Sequence, residues 1–233
     1  MKKLRDRWKD IKLDEAQRLL NQVGDNNVGI RNILETPEFK IFEYVDGMLD
    51  LRGFPLEALK NVDIEGVNFQ YSKSNSLEYI HILEANVIAC NFHKAQRFYS
   101  ITDSTFKKCD FTEANFREGY LVRTEFDLCN FSKANLQNWK GSKGVEFHKC
   151  NFQGANFKTA LLYESIFKEC DFKGALFGKG SVMGTTFIGC DFSDVDFKDT
   201  FRDEHTQFID CNMNGIKYVT EVKKFNFDIE TGW

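Results

Sequence analysis

Residues 106–116 read FKKCDFTEANF, and four later stretches repeat the pattern: FDLCNFSKANL at 126–136, FHKCNFQGANF at 147–157, FKECDFKGALF at 167–177 and FIGCDFSDVDF at 187–197. The cysteine in each belongs to one series, Cys90, Cys109, Cys129, Cys150, Cys170, Cys190 and Cys211, which accounts for all 7 cysteines of the 233-residue chain. Such self-similarity marks a repeat architecture, here with a unit of about 20 residues. A finer period of five runs inside the unit. A small residue stands two places before a large apolar one, and the pair recurs five residues on. One unit carries Ser104/Phe106, Cys109/Phe111, Ala114/Phe116 and Gly119/Leu121; another carries Ser165/Phe167, Cys170/Phe172, Ala175/Phe177 and Gly180/Val182.

A period of five fits neither the 3.6 of a helix nor the two of a long strand. A small-x-large triplet does make a minimal strand, with both named side chains on one face and the middle one on the other. The two remaining residues turn a corner. Four such sides close a square coil, and successive coils stack at about 4.8 Å, the parallel strand spacing. Equivalent residues then form ladders up the inside. The inward ladder comprises the seven cysteines together with Phe111, Phe131, Phe152, Phe172 and Phe192. Burying one phenylalanine contributes about 1.5–3 kcal/mol, so Phe columns can hold strands too short to persist alone.

ANF, ANL, CNF and CDF at five-residue spacing resemble the pentapeptide-repeat proteins, whose consensus is A-(D/N)-L-x-x. The resemblance implies an all-β solenoid: a right-handed quadrilateral parallel β-helix with four pentapeptides per coil. It is clean over 85–218 and looser over 49–84, where LDLRG, VDIEGVNF and ILEANV are separated by insertions. Two departures stand out. Phenylalanine replaces leucine at most central places, and one-residue slips fall at 95–101, 139–145 and 199–206.

A solenoid exposes its core at both ends and needs caps. Over residues 1–24, Leu4, Trp8 and Ile11 share one helical face, as do Ala16, Leu19, Leu20 and Val23. Asp14 with Gln17 resembles a capping box, and Gly24 is a helix stop. Asp46-Gly47 inside FKIFEYVDGML is a hairpin signal. The expected organisation is a small, mainly helical cap over 1–48, the β-helix over 49–218, and a C-terminal closing strand over 219–233, where EVKKFNFDIETGW alternates.

Candidate chemistry is sparse. Metal sites call for close pairs such as C-x2-C, and the chain has none. In the coil the seven thiols point inward among Phe rings as small buried hydrophobes. His81, His93, His148 and His205 share no spacing that gathers them, and His93 and His148 fall outward on different sides. GALFGKGSVMGTT (174–186) lacks the G-x-x-x-x-G-K-[ST] spacing of a phosphate loop; its Gly174 and Gly178 are expected at coil corners, where φ is positive. The polar column after the cysteines (Asn91, Asp110, Asn130, Asn151, Asp171, Asp191, Asn212) is read as ladder and turn bonding rather than a ligand comb. No residues resemble a nucleophile with its base and an orienting group. The sequence therefore predicts no enzyme, no cofactor and no metal.

The charged start MKKLRDRWKD stands where a signal peptide carries its apolar run, and no apolar stretch approaches the roughly 18 residues of a membrane span. Cytoplasmic localisation follows as the expectation, with a bacterial source and free thiols. Some pentapeptide-repeat relatives resemble DNA in size and charge and act on type II topoisomerases, inhibiting gyrase or protecting it from quinolones. Here residues 90–218 hold 17 Lys/Arg against 17 Asp/Glu, and only 191–210 is acidic. A duplex mimic needs a dense negative stripe, because DNA carries a charge every 1.7 Å or so. The leading reading is thus a protein-binding scaffold whose partner is a protein or a second copy of the chain. The topoisomerase-binding mimic is the alternative, and direct contact with nucleic acid or membrane is not expected. The candidate surface is the fourth side of the coil. There Tyr120 and Val122, then Leu161 and Tyr163, then Met183 place apolar side chains outward, with Trp139 and Phe201 nearby.

Overall fold

The computed structural model describes residues 43–56, 58–60, 63–72, 80–141 and 144–217. The expected N-terminal helices and the closing strand lie outside these residues. At the start of the described chain, Tyr44–Val45 and Met48–Asp50 pair antiparallel around Asp46 (φ 52°) and Gly47 (φ 78°), the left-handed pair that a tight hairpin needs. Every later pairing is parallel, and no helix occurs among the described residues.

The described residues form an all-β parallel solenoid of about seven turns. One side is an 8-stranded parallel sheet of short strands, from Asp63–Glu65 through Thr105–Lys107 and Val145–His148 to Gln207–Ile209. The cysteine side follows as a column of single parallel bridges, Asn68, Asn91, Asp110, Asn130, Asn151, Asp171, Asp191 and Asn212. The alanine side bridges Asn115, Asn135, Asn156, Leu176, Asp196 and Lys217 in the same way. The fourth side is a 6-stranded sheet running from Ala58–Lys60 to Leu161–Leu162 and continued by Ser181 and Phe201.

The triplet pattern buries what it says it should. Cys90, Cys109, Cys129, Cys150, Cys170 and Cys190 are buried, as are Phe111, Phe131, Phe152, Phe172 and Phe192; Cys211, in the last coil, is half-buried. Each cysteine Sγ–H reaches a backbone carbonyl of the preceding coil, as Cys150 does with Phe126 at 3.5 Å. Two of the phenylalanine columns stack without a break. Centroids repeat at 4.8–5.0 Å along Phe92, Phe111, Phe131, Phe152, Phe172 and Phe192, and at 4.7–5.1 Å along Phe106, Phe126, Phe147, Phe167, Phe187 and Phe208. Every ring but Phe92 also meets the other stack edge-on, as Phe147 meets Phe152 at 5.3 Å and 74°. Such aromatic pairs contribute about 0.5–1.5 kcal/mol beyond area burial.

The corners differ from expectation. Gly174 and Gly178 both stand in corner turns, but only Gly174, at φ 67°, is left-handed: at the other corner that residue is Lys179 at φ 61°. Most corners are taken by ordinary residues, as at Lys108, Glu113, Glu118 and Arg123 in one coil. An L-residue in this conformation costs roughly 1–2 kcal/mol, and the inter-coil hydrogen bond of its N–H opposes that cost, as for Lys108 N–H to the Asp127 carbonyl at 2.9 Å. Glycine is required for a different reason at Gly119 and Gly180. A Cβ there would lie 2.8 Å from the Phe98 carbonyl oxygen and 2.9 Å from that of Ala160.

Candidate interaction surface

The fourth side is where the coil is least regular. Register slips between Ile80 and His81 as they pair with Phe98–Thr102, so that Ile80 opposes Phe98 while His81 opposes Ser100, and Tyr99 is the extra residue. Tyr99 turns its ring edge-on to Tyr120 at 5.2 Å and to His81 at 5.8 Å. The outward column then runs Ser100, Tyr120, Lys140, Leu161, Ser181 and Phe201, although Ser100 and Ser181 in it are buried. Beside it stand Val122, Tyr163 and Met183.

Tyr120, Val122, Leu161, Tyr163 and Met183 are all half-buried. Lys140 interrupts it between Tyr120 and Leu161. Trp139 does not belong to this surface. It points into the core and is 2% exposed, flanked by Phe147 and Phe157 at ring distances of 5.9 and 6.2 Å. Phe201 does stand in the outward column, half-buried above Ser181. The most exposed large apolar residues of the coils are elsewhere and apart: Leu128, Leu176 and Ile209. Single exposed apolar residues are normal on any surface.

The other candidate features find local structural roles. In the polar column every Asn or Asp accepts from the backbone N–H two residues on, at 2.8–3.2 Å, from Asn91 with His93 to Asn212 with Asn214. Cross-coil links add to this, such as Asn212 Nδ2 to Asp191 Oδ1 at 3.0 Å. These oxygens are committed to the turn. Asp191 shows the consequence: the Ser193 backbone N–H, opposed by partial burial, holds its carboxyl below the usual value.

The histidines are not gathered. His148 meets Glu146 at 3.1 Å on the eight-stranded sheet, and His93 lies edge-on to Tyr71 at 6.1 Å. Stacking does create one contact that the sequence reading missed, His81 Nδ1 to the buried Ser100 Oγ at 2.7 Å. The 19-residue offset between them, matching that of Cys90 and Cys109, is the signal that could have found it. Among the described residues, no three His, Cys, Asp or Glu side chains are placed to hold a metal ion, and no helix is long and apolar enough to cross a membrane. Burial pushes the Cys90 thiol up to about 12.

With this geometry in view, the family model for pentapeptide repeats matches the chain in 8 copies, over residues 109–138 and 143–178. Over these residues the chain carries pentapeptide repeats. No curated protein sequence matches it. Among solved pentapeptide-repeat structures, trypsin-treated QnrB1, a plasmid-mediated fluoroquinolone resistance protein, is similar at 18% identity and a TM-score of 0.40, covering 72% of this chain and 87% of that one. HetL from the cyanobacterium Nostoc sp. strain PCC 7120, involved in heterocyst differentiation regulation, is similar at 12% identity and a TM-score of 0.33, covering 82% and 94%. Rfr23 from the cyanobacterium Cyanothece 51142 shows 12% identity and a TM-score of 0.25, covering 65% and 91%. At these values neither identity nor overlay says anything about function.

Proposed function

We propose that this right-handed four-sided coil is a non-enzymatic scaffold in the cytoplasm that binds a protein partner through its fourth side. The observation that supports this is the column Tyr120, Val122, Leu161, Tyr163 and Met183, apolar where the other three sides present mostly Asn, Asp, Lys, Glu and Thr. Contiguous apolar patches mark interaction sites, and Tyr and Met are enriched at interface cores. A photo-crosslinking residue placed at Leu161, with one at Lys133 on another side as control, tests it in the intact chain. Crosslinks to a protein from position 161 alone, lost in Tyr163→Glu with unchanged circular dichroism, support the reading. Crosslinks from both positions, or from neither, overturn it.

The topoisomerase alternative rests on residues 191–210, with seven Asp/Glu against Lys198 and Arg202. Purified chain that inhibits gyrase supercoiling, or relieves its quinolone inhibition, with Tyr163→Glu still active, would favour that reading over the fourth-side scaffold.

A further inference from the structure

The fourth side is framed by charge of opposite sign on its two edges. The chain enters it through stacked turns at 137–138, 158–159 and 178–179. Asn138 N–H to the Lys158 carbonyl and Thr159 N–H to the Gly178 carbonyl, each at 3.2 Å, hold these turns in line. Lys158 and Lys179 stand in two of them, and Lys140 stands on the face itself, beside Leu161. All three lysines are exposed, and among the described residues none of them forms an ion pair. Carboxylates return to this edge only in the flanking turns, at Glu118 and Asp199. The chain leaves the side past Arg123, which is paired to Asp103 at 2.5 Å, and one coil pair later past the exposed Glu164.

One lysine per coil sets the three charges at the strand spacing of about 4.8 Å. That interval selects the shape of what lies on them. Side chains three or four apart on an α-helix rise by about 4.5–6 Å. Carboxylates at i, i+3 and i+7 of a helix laid along the solenoid axis therefore meet Lys140, Lys158 and Lys179 in turn. Alternate side chains of an extended strand rise by about 6.8 Å and fall out of step. The side is one triplet wide, about 10 Å at 3.3 Å per residue, which matches the diameter of a helix. Apolar side chains on the adjoining stripe of that helix reach Tyr120, Leu161 and Tyr163.

We propose that the protein partner of the fourth side presents an acidic amphipathic helix, with its carboxylates on Lys140, Lys158 and Lys179 and its apolar stripe on Tyr120, Leu161 and Tyr163. This rests on the fourth side being the docking face. Complementary charge selects among the candidate occupants. The chain's own residues 1–24 carry seven Lys/Arg against four Asp/Glu, the wrong sign for the lysine edge. A single nucleic-acid strand brings negative charge but calls for a run of aromatic stacking platforms. Here Val122, Leu161 and Met183 stand among the tyrosines, and Glu164 on the far edge repels phosphate.

Fluorescence anisotropy with the full chain tests this, using a labelled synthetic helix of about five turns that carries a leucine stripe beside a glutamate stripe, and a twin with glutamine for every glutamate. The glutamate helix is expected to bind at least tenfold more tightly than its twin at low salt, with the gap closing at high salt. Lys158→Gln combined with Lys179→Gln should abolish the gap with circular dichroism unchanged, and Tyr163→Glu should abolish binding of both helices. Equal binding of the two helices, lost in Tyr163→Glu, overturns the acidic partner while leaving the fourth side as the docking face. A gap that survives the double lysine variant, displacement of the helix by an equal concentration of a single-stranded oligonucleotide, or no binding by either helix overturns the proposal, and crosslinking from position 161 then judges the docking face separately.

Discussion

Trp139 and Gly141 stand in reversed order on the fourth side of the coil. The triplets of the neighbouring coils put the narrow residue first, as in Gly119/Leu121, Ala160/Leu162 and Gly180/Val182. Here the indole fills the core from the narrow place. The register sets it between Gly119 and Ala160, where neighbouring side chains take least room. Gly141, at the wide place, already has Ser165 Oγ 3.2 Å and a Leu162 methyl 3.6 Å from where its Cβ would be.

Restoring the usual wide residue should therefore overpack the core. Gly141→Leu is expected to cost about 1–3 kcal/mol, and Trp139→Ala about 3–5 kcal/mol. The double variant should cost less than the sum, since each change relieves the other. Urea denaturation of the three variants checks this; strict additivity would show that the two sites do not share space.

Phe152 has ring neighbours in the coils on both sides, Phe131 and Phe172, each at 5.0 Å. Phe152→Ala is expected to cost about 3–5 kcal/mol. Because each coil touches only its neighbours, the loss should also open the middle of the rod and lower the cooperativity of unfolding. A melting transition unchanged in midpoint and width would contradict the central role of this stack.

Thiol reactivity should report burial coil by coil. Cys90, pushed up to about 12 by burial, holds almost no thiolate near neutral pH. A folded pKa above the unfolded value of about 8.5 means that its contribution to stability is complete below that pH and is lost as pH rises towards 12. Stability should fall across this alkaline window. In native protein at pH 8, the half-buried Cys211 should be the first of the seven to react with a maleimide; rapid labelling of Cys129 or Cys150 would contradict the ladder.

Asp203 closes the corner made by the slip at 199–206. Burial works to raise its pKa, but the Gly184 N–H at 2.9 Å and the Thr206 hydroxyl at 2.8 Å outweigh it and hold the carboxyl low. A folded value below the unfolded 3.9 or so gives stability that is present above that pH and lost as pH falls through the folded value. Thermal melts between pH 2 and 5 should show this loss, reduced in Asp203→Asn. Asp203→Ala, which strands the Gly184 N–H, should cost about 1–3 kcal/mol at pH 7.

The coil, its inward ladders and the polar column were legible from residues alone, because in a triplet the side-chain direction alternates and a small/large pair two apart must share a face. That logic is local, so it survives in one dimension: Cys109/Phe111 says which way both point without knowing what lies in the next coil. What the tertiary structure alone decided depends on the offset between coils. The slips at 95–101 and 199–206 set Tyr99 beside Tyr120, His81 on Ser100 and Arg202 into the core column, and hydrogen bonding between coils, not local pattern, chooses those offsets. The direction of Trp139 is of the same kind, since the room for an indole is made by Gly119 and Gly141 together. So is the left-handed corner at Lys179: propensity pointed to Gly178, but the stacked N–H and C=O groups of adjacent coils determine where each corner falls.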